Sequence, residues 1–100
     1  MSWKLEIDIN KLEDYNARLK TMIDELNSEI EELSAVIATT CSYWKGDAAE
    51  AYIHLMENRL SKAREVYVSL SGVRFAVKAQ IDNLRAADNW FEKAAYEIFH

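Results

Sequence analysis

The sequence predicts an all-α protein built as an antiparallel helical hairpin. Apolar residues recur every seven positions through both halves of the 100-residue chain, proline is absent, and one of the two glycines, Gly46, lies near the midpoint. A β-rich domain of this length would need many more turn residues. We therefore expect one domain, residues 1–100, with two long helices joined by a single turn.

The first helix is predicted over about residues 11–42. Asn10 and Glu13 fit a capping box at its start. The alternation of apolar and polar residues before Asn10 indicates an extended arm. Two rows of residues spaced by seven form one apolar stripe on this helix. The rows are Leu5, Leu12, Leu19, Leu26 and Leu33, and Ile9, Asn16, Ile23, Ile30, Ile37 and Trp44.

The turn is predicted at residues 43–47. Gly46 can adopt the left-handed conformation that ends many helices. Asp47 then caps the second helix, and Glu50 completes a second capping box three residues later. Such a tight turn makes the two helices antiparallel neighbours.

The second helix is predicted over about residues 48–98. Its apolar stripe is broader than that of the first helix, as expected for a helix that packs on two neighbours. With the turn near residue 45, Glu29 falls opposite Lys62 and Glu32 opposite Arg59, and we expect these opposite charges to pair and fix the register of the two helices. The central row of the stripe is Ala49, Met56, Ala63, Leu70, Val77, Leu84, Phe91 and Ile98.

A single hairpin leaves one side of each apolar stripe open to water. Since burying a Leu- or Phe-sized side chain is worth about 1.5–3 kcal/mol, association with a second hairpin in a four-helix bundle is favoured. Either a second copy (a homodimer) or a related helical protein (a heterodimer) could supply it. The candidate interface residues are Leu12, Leu19, Ile23, Leu26, Ile30, Leu33, Ile37, Met56, Leu70, Val77, Leu84 and Phe91.

The residues around the turn resemble those of the WXG family, small early-secreted-antigen-like proteins of type VII secretion systems in Gram-positive bacteria and mycobacteria. The resemblance covers nearly the whole chain. It implies a hairpin that dimerises into a four-helix bundle and leaves the cytoplasm without a signal peptide, through an ATPase-driven secretion machine. The turn motif would be Trp44 and Gly46, supported by Asp47, Ala48, Ala49 and Tyr52.

One feature departs from the family pattern. Many members carry a tyrosine followed four residues later by Asp or Glu as a C-terminal export signal, whereas Tyr96 is followed by His100 at that spacing. This difference leaves a second interpretation open. The protein would then be a targeting factor or chaperone bound to the N-terminal helical, LXG-like domain of a larger secreted toxin.

Other classes of function find little support. The formal net charge of −5, without a basic cluster, argues against nucleic-acid binding. No apolar run approaches the roughly 20 residues of a membrane span. No nucleophile motif, metal-ligand set or phosphate-binding loop is present, so we predict no enzyme activity, cofactor or metal. An intracellular coiled-coil adaptor, for which the turn would be incidental, is the remaining alternative.

Overall fold

The computed structural model describes residues 3–99 as two α-helices. Helix α1 runs from Trp3 to Tyr43 and helix α2 from Asp47 to Phe99, with residues 44–46 between them. The all-α helical hairpin predicted from the sequence is confirmed. Both helices contribute to two compact units: the turn unit, residues 21–71, and the terminal unit, whose described residues are 3–20 and 72–99.

The turn unit has an apolar core in which α1 packs against α2. Ile30 and Ile37 of α1 and Leu60 of α2 are buried together. Isoleucines spaced by seven lie on one side of a helix, which explains why the same row of α1 is buried repeatedly. The half-buried residues packed around this cluster are Leu26, Leu33, Ile53, Met56, Ala63 and Tyr67.

The terminal unit packs the same rows but contains more polar groups. Ile9 is 2% exposed and Ile81 6% exposed. Seven residues after Ile9, in the same row of α1, lies Asn16, which is half-buried. Seven residues after Ile81, in the same row of α2, lies Asp88, which is 6% exposed. A salt bridge joins the guanidinium of Arg85 to the carboxylate of Glu13 across the two helices.

The predicted start of helix 1 is wrong. The helix begins at Trp3, so the expected extended arm is helical, and Asn10 and Glu13 lie inside α1 rather than at a cap. The reason is that the short stretch before Asn10 fits both a helical and an extended pattern. Ile9 and Leu12 continue the helical spacing, while the residues before Asn10 alternate between apolar and polar as in an extended segment. Burial of Ile9 within the terminal unit favours the helix.

The predicted ion pairs of the turn unit are also wrong. Among the described residues, no salt bridge joins Glu29 to Lys62 or Glu32 to Arg59. All four side chains are exposed. Exposed pairs contribute only about 0–1 kcal/mol after the cost of fixing both side chains, so the fold does not depend on these pairs.

Candidate functional site

The turn between α1 and α2 is built around the backbone of Gly46. Its φ is +107°, a conformation that L side chains rarely adopt. No atom lies within 4 Å of the position that a Cβ would occupy, so the requirement for glycine comes from the backbone and not from a lack of space. The carbonyl of Gly46 accepts a 3.0 Å hydrogen bond from the backbone N–H of Glu50.

That hydrogen bond places the helix cap one residue earlier than the sequence predicted. Gly46 supplies the first carbonyl of α2, and Asp47 is already the first helical residue. Glycine is among the residues preferred at an N-cap. The carboxylates of Asp47 and Glu50 lie in the first turn of α2, where the partial positive charge of the helix N-terminus favours them.

The end of α1 is closed by local hydrogen bonds. The backbone N–H of Trp44 donates to the carbonyl of Thr40 at 2.9 Å, and the Lys45 ammonium donates to the carbonyl of Cys41 at 3.0 Å. These contacts satisfy carbonyls that have no partner further along the helix. The turn is therefore held on both sides by the chain itself.

Trp44 contacts the first turns of α2. Its indole and the ring of Tyr52 have centroids 5.5 Å apart and planes inclined by 49°, and 40% of Trp44 remains exposed. Ala49 is 1% exposed, whereas Ala48 is exposed. Of the two alanines named as support for the turn motif, only Ala49 is buried. A groove of about 220 Å³ beside the indole is lined by Cys41, Trp44, Lys45, Gly46, Ala49, Glu50 and Ile53.

The candidate interface residues fall into three groups. Ile23, Ile30 and Ile37 are buried, and they are therefore committed to packing within the chain. Phe91 is 63% exposed. The remaining members are half-buried: Leu12, Leu19, Leu26, Leu33, Met56, Leu70, Val77 and Leu84.

A row of exposed apolar residues on α1 was missed in the sequence. Tyr15, Met22, Val36 and Tyr43 are all exposed and follow the same seven-residue spacing, with Glu29 in the remaining position. We call these five residues the outer row. The row lies three residues beyond the leucine row, Leu12, Leu19, Leu26 and Leu33, and extending the heptad analysis by one more row would have found it.

The rows have a fixed order around each helix. At 3.5 residues per turn, a step of three residues rotates the side chain by about 50° in one sense. On α1 this order runs from the buried isoleucines to the leucine row and then to the outer row. On α2 it runs from the row of Leu60 and Ile81 to that of Leu70 and Val77, and then to Val66 and Val73, which are exposed.

On both helices, each step of three residues moves away from the buried row by the same angle and in the same sense along the chain. Because the helices are antiparallel, the half-buried and exposed rows of α1 and of α2 lie on the same side of the helix pair. Each unit therefore has an apolar face on that side. In the turn unit, it is formed by Met22, Leu26, Leu33 and Val36 of α1 with Met56, Ala63, Val66 and Leu70 of α2. In the terminal unit, it is formed by Leu12, Tyr15 and Leu19 of α1 with Val73, Val77, Leu84 and Phe91 of α2.

The polar groups of the terminal unit line two open cavities. One, of about 370 Å³, contains Asp88 and Glu6, and another of about 370 Å³ contains Asn16, Arg74 and Lys78. The Oδ1 of Asn16 is buried and has no hydrogen-bond partner among the residues that the structure describes. Nor does any group of three His, Cys, Asp or Glu side chains within the described chain have an arrangement that could hold a metal ion.

Within residues 3–99, neither helix contains a segment that is long and apolar enough to cross a lipid bilayer.

Comparison with known proteins agrees with the geometry of the turn and the helices. No curated protein and no solved structure matches the chain. The model of the WXG100 family, described as proteins of 100 residues with WXG, matches residues 4–89. This match covers α1 from residue 4, the turn with Trp44 and Gly46, and α2 as far as residue 89. The chain therefore belongs to the WXG100 family.

Proposed function

We propose that this chain is a small, non-enzymatic protein of a type VII secretion system that acts through helix-bundle pairing. It pairs its hairpin with another hairpin in a four-helix bundle and leaves the cytoplasm in that form. Its partners are the second hairpin and the secretion ATPase. The observation that supports this most strongly is the apolar face that each unit of this WXG100 member presents.

The apolar face suits a helical partner better than a small ligand. Its residues lie in rows spaced by seven along two helices, and such rows interlock with the side chains of a further helix pair. Contiguous exposed apolar surface of this kind is uncommon on proteins that remain monomeric. The proposed pairing covers Met22, Val36, Val66 and Val73, each of which is about half exposed in the single chain.

Export can be tested with the full chain in its own host. An epitope-tagged copy should accumulate in the culture medium of the wild-type strain and stay in the cells when the secretion ATPase gene is deleted. A cytoplasmic marker protein controls for lysis. Retention in cells with an active ATPase would contradict the proposal and would favour the coiled-coil adaptor.

The turn motif provides a matched pair of variants for the same assay. Trp44→Ala removes the indole packed on Tyr52, and we expect less protein in the medium at equal cell levels. Phe75→Ala removes an aromatic ring that is 77% exposed and lies away from the apolar face. Its export should match that of the wild type.

The second candidate function is that of a targeting factor for a larger toxin. The observation in its favour is His100 in place of the Asp or Glu expected four residues after Tyr96. Co-expression with the N-terminal helical domains encoded by neighbouring genes, followed by mass measurement of the purified material, separates the two functions. A stable one-to-one complex supports the targeting role, and a self-dimer in the medium supports the first.

A further inference from the structure

Asp88 is a buried carboxylate of the terminal unit that has no partner there. It is 6% exposed, and among the residues that the structure describes none gives its carboxylate a hydrogen bond or an ion pair. Burial removes the water that would otherwise solvate this charge, and a buried charge is stable only where donors or an opposite charge replace that water. The Asp88 side chain therefore lacks a cationic donor.

The apolar face occupies only one side of the terminal unit. At 3.5 residues per turn, a step of four residues rotates the side chain by about 50° in the sense opposite to a step of three. Glu13 lies four residues after Ile9, and Arg85 lies four residues after Ile81. The salt bridge between Glu13 and Arg85 shows that these two rows meet, on the side opposite the apolar face.

An acidic cavity lies on this opposite side. Its volume is about 370 Å³, and its ionisable side chains are Glu6, Arg85, Asp88 and Glu92. Glu6 belongs to the row of Glu13, and Glu92 belongs to the row of Arg85. Three carboxylates therefore line the cavity with one guanidinium. Because that guanidinium is bound to Glu13, it does not supply the donor that Asp88 lacks.

The shape of the acidic cluster fits an organic cation better than a metal ion. Within residues 3–99, these carboxylates are not arranged to hold a metal ion, whose oxygen ligands must converge to about 2.3–2.6 Å even for calcium. A guanidinium has five N–H donors in a planar fork and reaches acceptors that lie further apart. The side chains of Asn10 and Asn89, which also line the cavity, each add a carbonyl acceptor.

We propose that this cavity, the Asp88 cavity, is a binding site for a guanidinium group. The Asp88 carboxylate accepts charge-assisted hydrogen bonds from the group at the buried end, and the exposed carboxylates of Glu6 and Glu92 add opposite charge around it. The site lies away from the apolar face. The proposal therefore does not rest on hairpin pairing and goes beyond the proposed function.

Titration with a small probe tests the site. In the ¹⁵N-labelled full chain, methylguanidinium should shift the side-chain amide signals of Asn10 and Asn89 in a saturable way. The signal of Asn27, an exposed residue of the turn unit, is the internal reference and should not move. Methylurea has nearly the same shape without the charge and should shift none of these signals. The proposal is overturned if methylguanidinium leaves the signals of Asn10 and Asn89 unchanged, or if methylurea shifts them equally.

A conservative variant tests the role of the buried carboxylate. Asp88→Asn keeps the shape of the side chain and removes its charge, and we expect the dissociation constant of methylguanidinium to rise by about tenfold. The matched control is Asp8→Asn, the same change at an exposed residue of the terminal unit that does not line the cavity. Its dissociation constant should stay within about twofold of the wild type, since only general attraction to an acidic protein is reduced.

Glu92→Gln is a second variant, at an exposed side chain whose replacement leaves the buried row intact. We expect it to raise the dissociation constant by about threefold, and circular dichroism verifies that each variant folds. The proposal fails if Asp88→Asn or Glu92→Gln binds methylguanidinium as tightly as the wild type. It also fails if Asp8→Asn weakens binding as much as Asp88→Asn does.

Two probes distinguish a free guanidinium compound from an arginine side chain of a partner protein. The second probe is the tripeptide Gly-Arg-Gly with both ends blocked. Binding of the tripeptide at least about threefold more tightly than methylguanidinium supports an arginine of a protein, because the backbone beside the side chain adds contacts. Equal affinity supports a free compound. A wild-type chain that binds neither probe overturns the proposal and leaves the ATPase-dependent export assay unaffected.

Discussion

The indole of Trp44 lies against the ring of Tyr52 eight positions later, across the turn that joins the two helices. The ring centroids are 5.5 Å apart and the planes are tilted by 49°. This contact links the last residue of the α1 stripe to the first turns of α2. It gives the tryptophan of the WXG motif a structural role within the single chain.

Removal of either ring should weaken this link. We expect Trp44→Ala to lower the free energy of unfolding by about 1–2 kcal/mol, since the indole is 40% exposed and only part of its area is buried. A double-mutant cycle with Tyr52→Ala, measured by urea denaturation at fixed protein concentration, should give a coupling of about 0.5–1.5 kcal/mol. Phe75→Ala serves as the exposed aromatic control, and strictly additive effects of the Trp44 and Tyr52 changes would contradict the contact.

The two glycines should respond to substitution with opposite signs. Gly46→Ala forces an L side chain into positive φ and should destabilise the fold by about 1–2 kcal/mol, with Gly46→Val worse because of its branched Cβ. Gly72 lies inside α2 with open space around the position of a Cβ, so Gly72→Ala should stabilise by up to about 1 kcal/mol. Thermal unfolding of both variants checks this, and equal shifts in one direction would refute it.

Asn16 should be replaceable with a gain in stability. Its buried Oδ1 lacks a partner among the described residues, and an unsatisfied buried acceptor costs about 1–3 kcal/mol. We expect Asn16→Leu to raise the free energy of unfolding by about 1 kcal/mol. The control is Asn27→Leu at an exposed position of α1, which should change it by less than about 0.5 kcal/mol. A loss of stability in Asn16→Leu would show that the amide is satisfied.

Leu60 should be the most sensitive leucine of α2 in the turn unit. It is 7% exposed and packs with Ile30 and Ile37, so Leu60→Ala leaves a cavity and should cost about 2–4 kcal/mol. Leu55→Ala makes the same change five residues earlier, at a side chain that is 49% exposed, and should cost less than about 1 kcal/mol. Urea denaturation of both variants at one protein concentration measures the two losses of unfolding free energy. Equal losses would contradict the prediction.

The fold could be predicted from the sequence because the seven-residue spacing of apolar residues repeats over most of the chain. Ile23, Ile30 and Ile37 recur at the helical spacing, and without proline there was one clear place, Gly46, for the chain to turn. The start of α1 could not be predicted, because the few residues around Ile9 fit a helical and an extended pattern equally well. Only the burial of Ile9 in the terminal unit separates the two.

The candidate site was predicted in part. Gly46 has a positive φ, Ala49 is buried and Trp44 is 40% exposed beside the turn, while the recognition role of this motif stays a prediction. The interface prediction could not separate side chains buried inside the hairpin, such as Ile30, from those left outside, such as Met22, because a heptad pattern gives the stripe but not the row that faces α2. That distinction depends on how the two helices are rotated against each other, which is set by tertiary packing.

Because φ is positive at Gly46, the stability of the fold should depend on the chirality of the residue at position 46. Glycine is achiral and tolerates this backbone, but for a residue of the opposite stereochemistry the same region is the favoured one. In a chain of 100 residues made by chemical ligation, D-alanine at position 46 should fold at least as well as glycine, whereas L-alanine should not. The two epimers would differ only in the configuration of one carbon, and their comparison would measure the backbone cost of the turn.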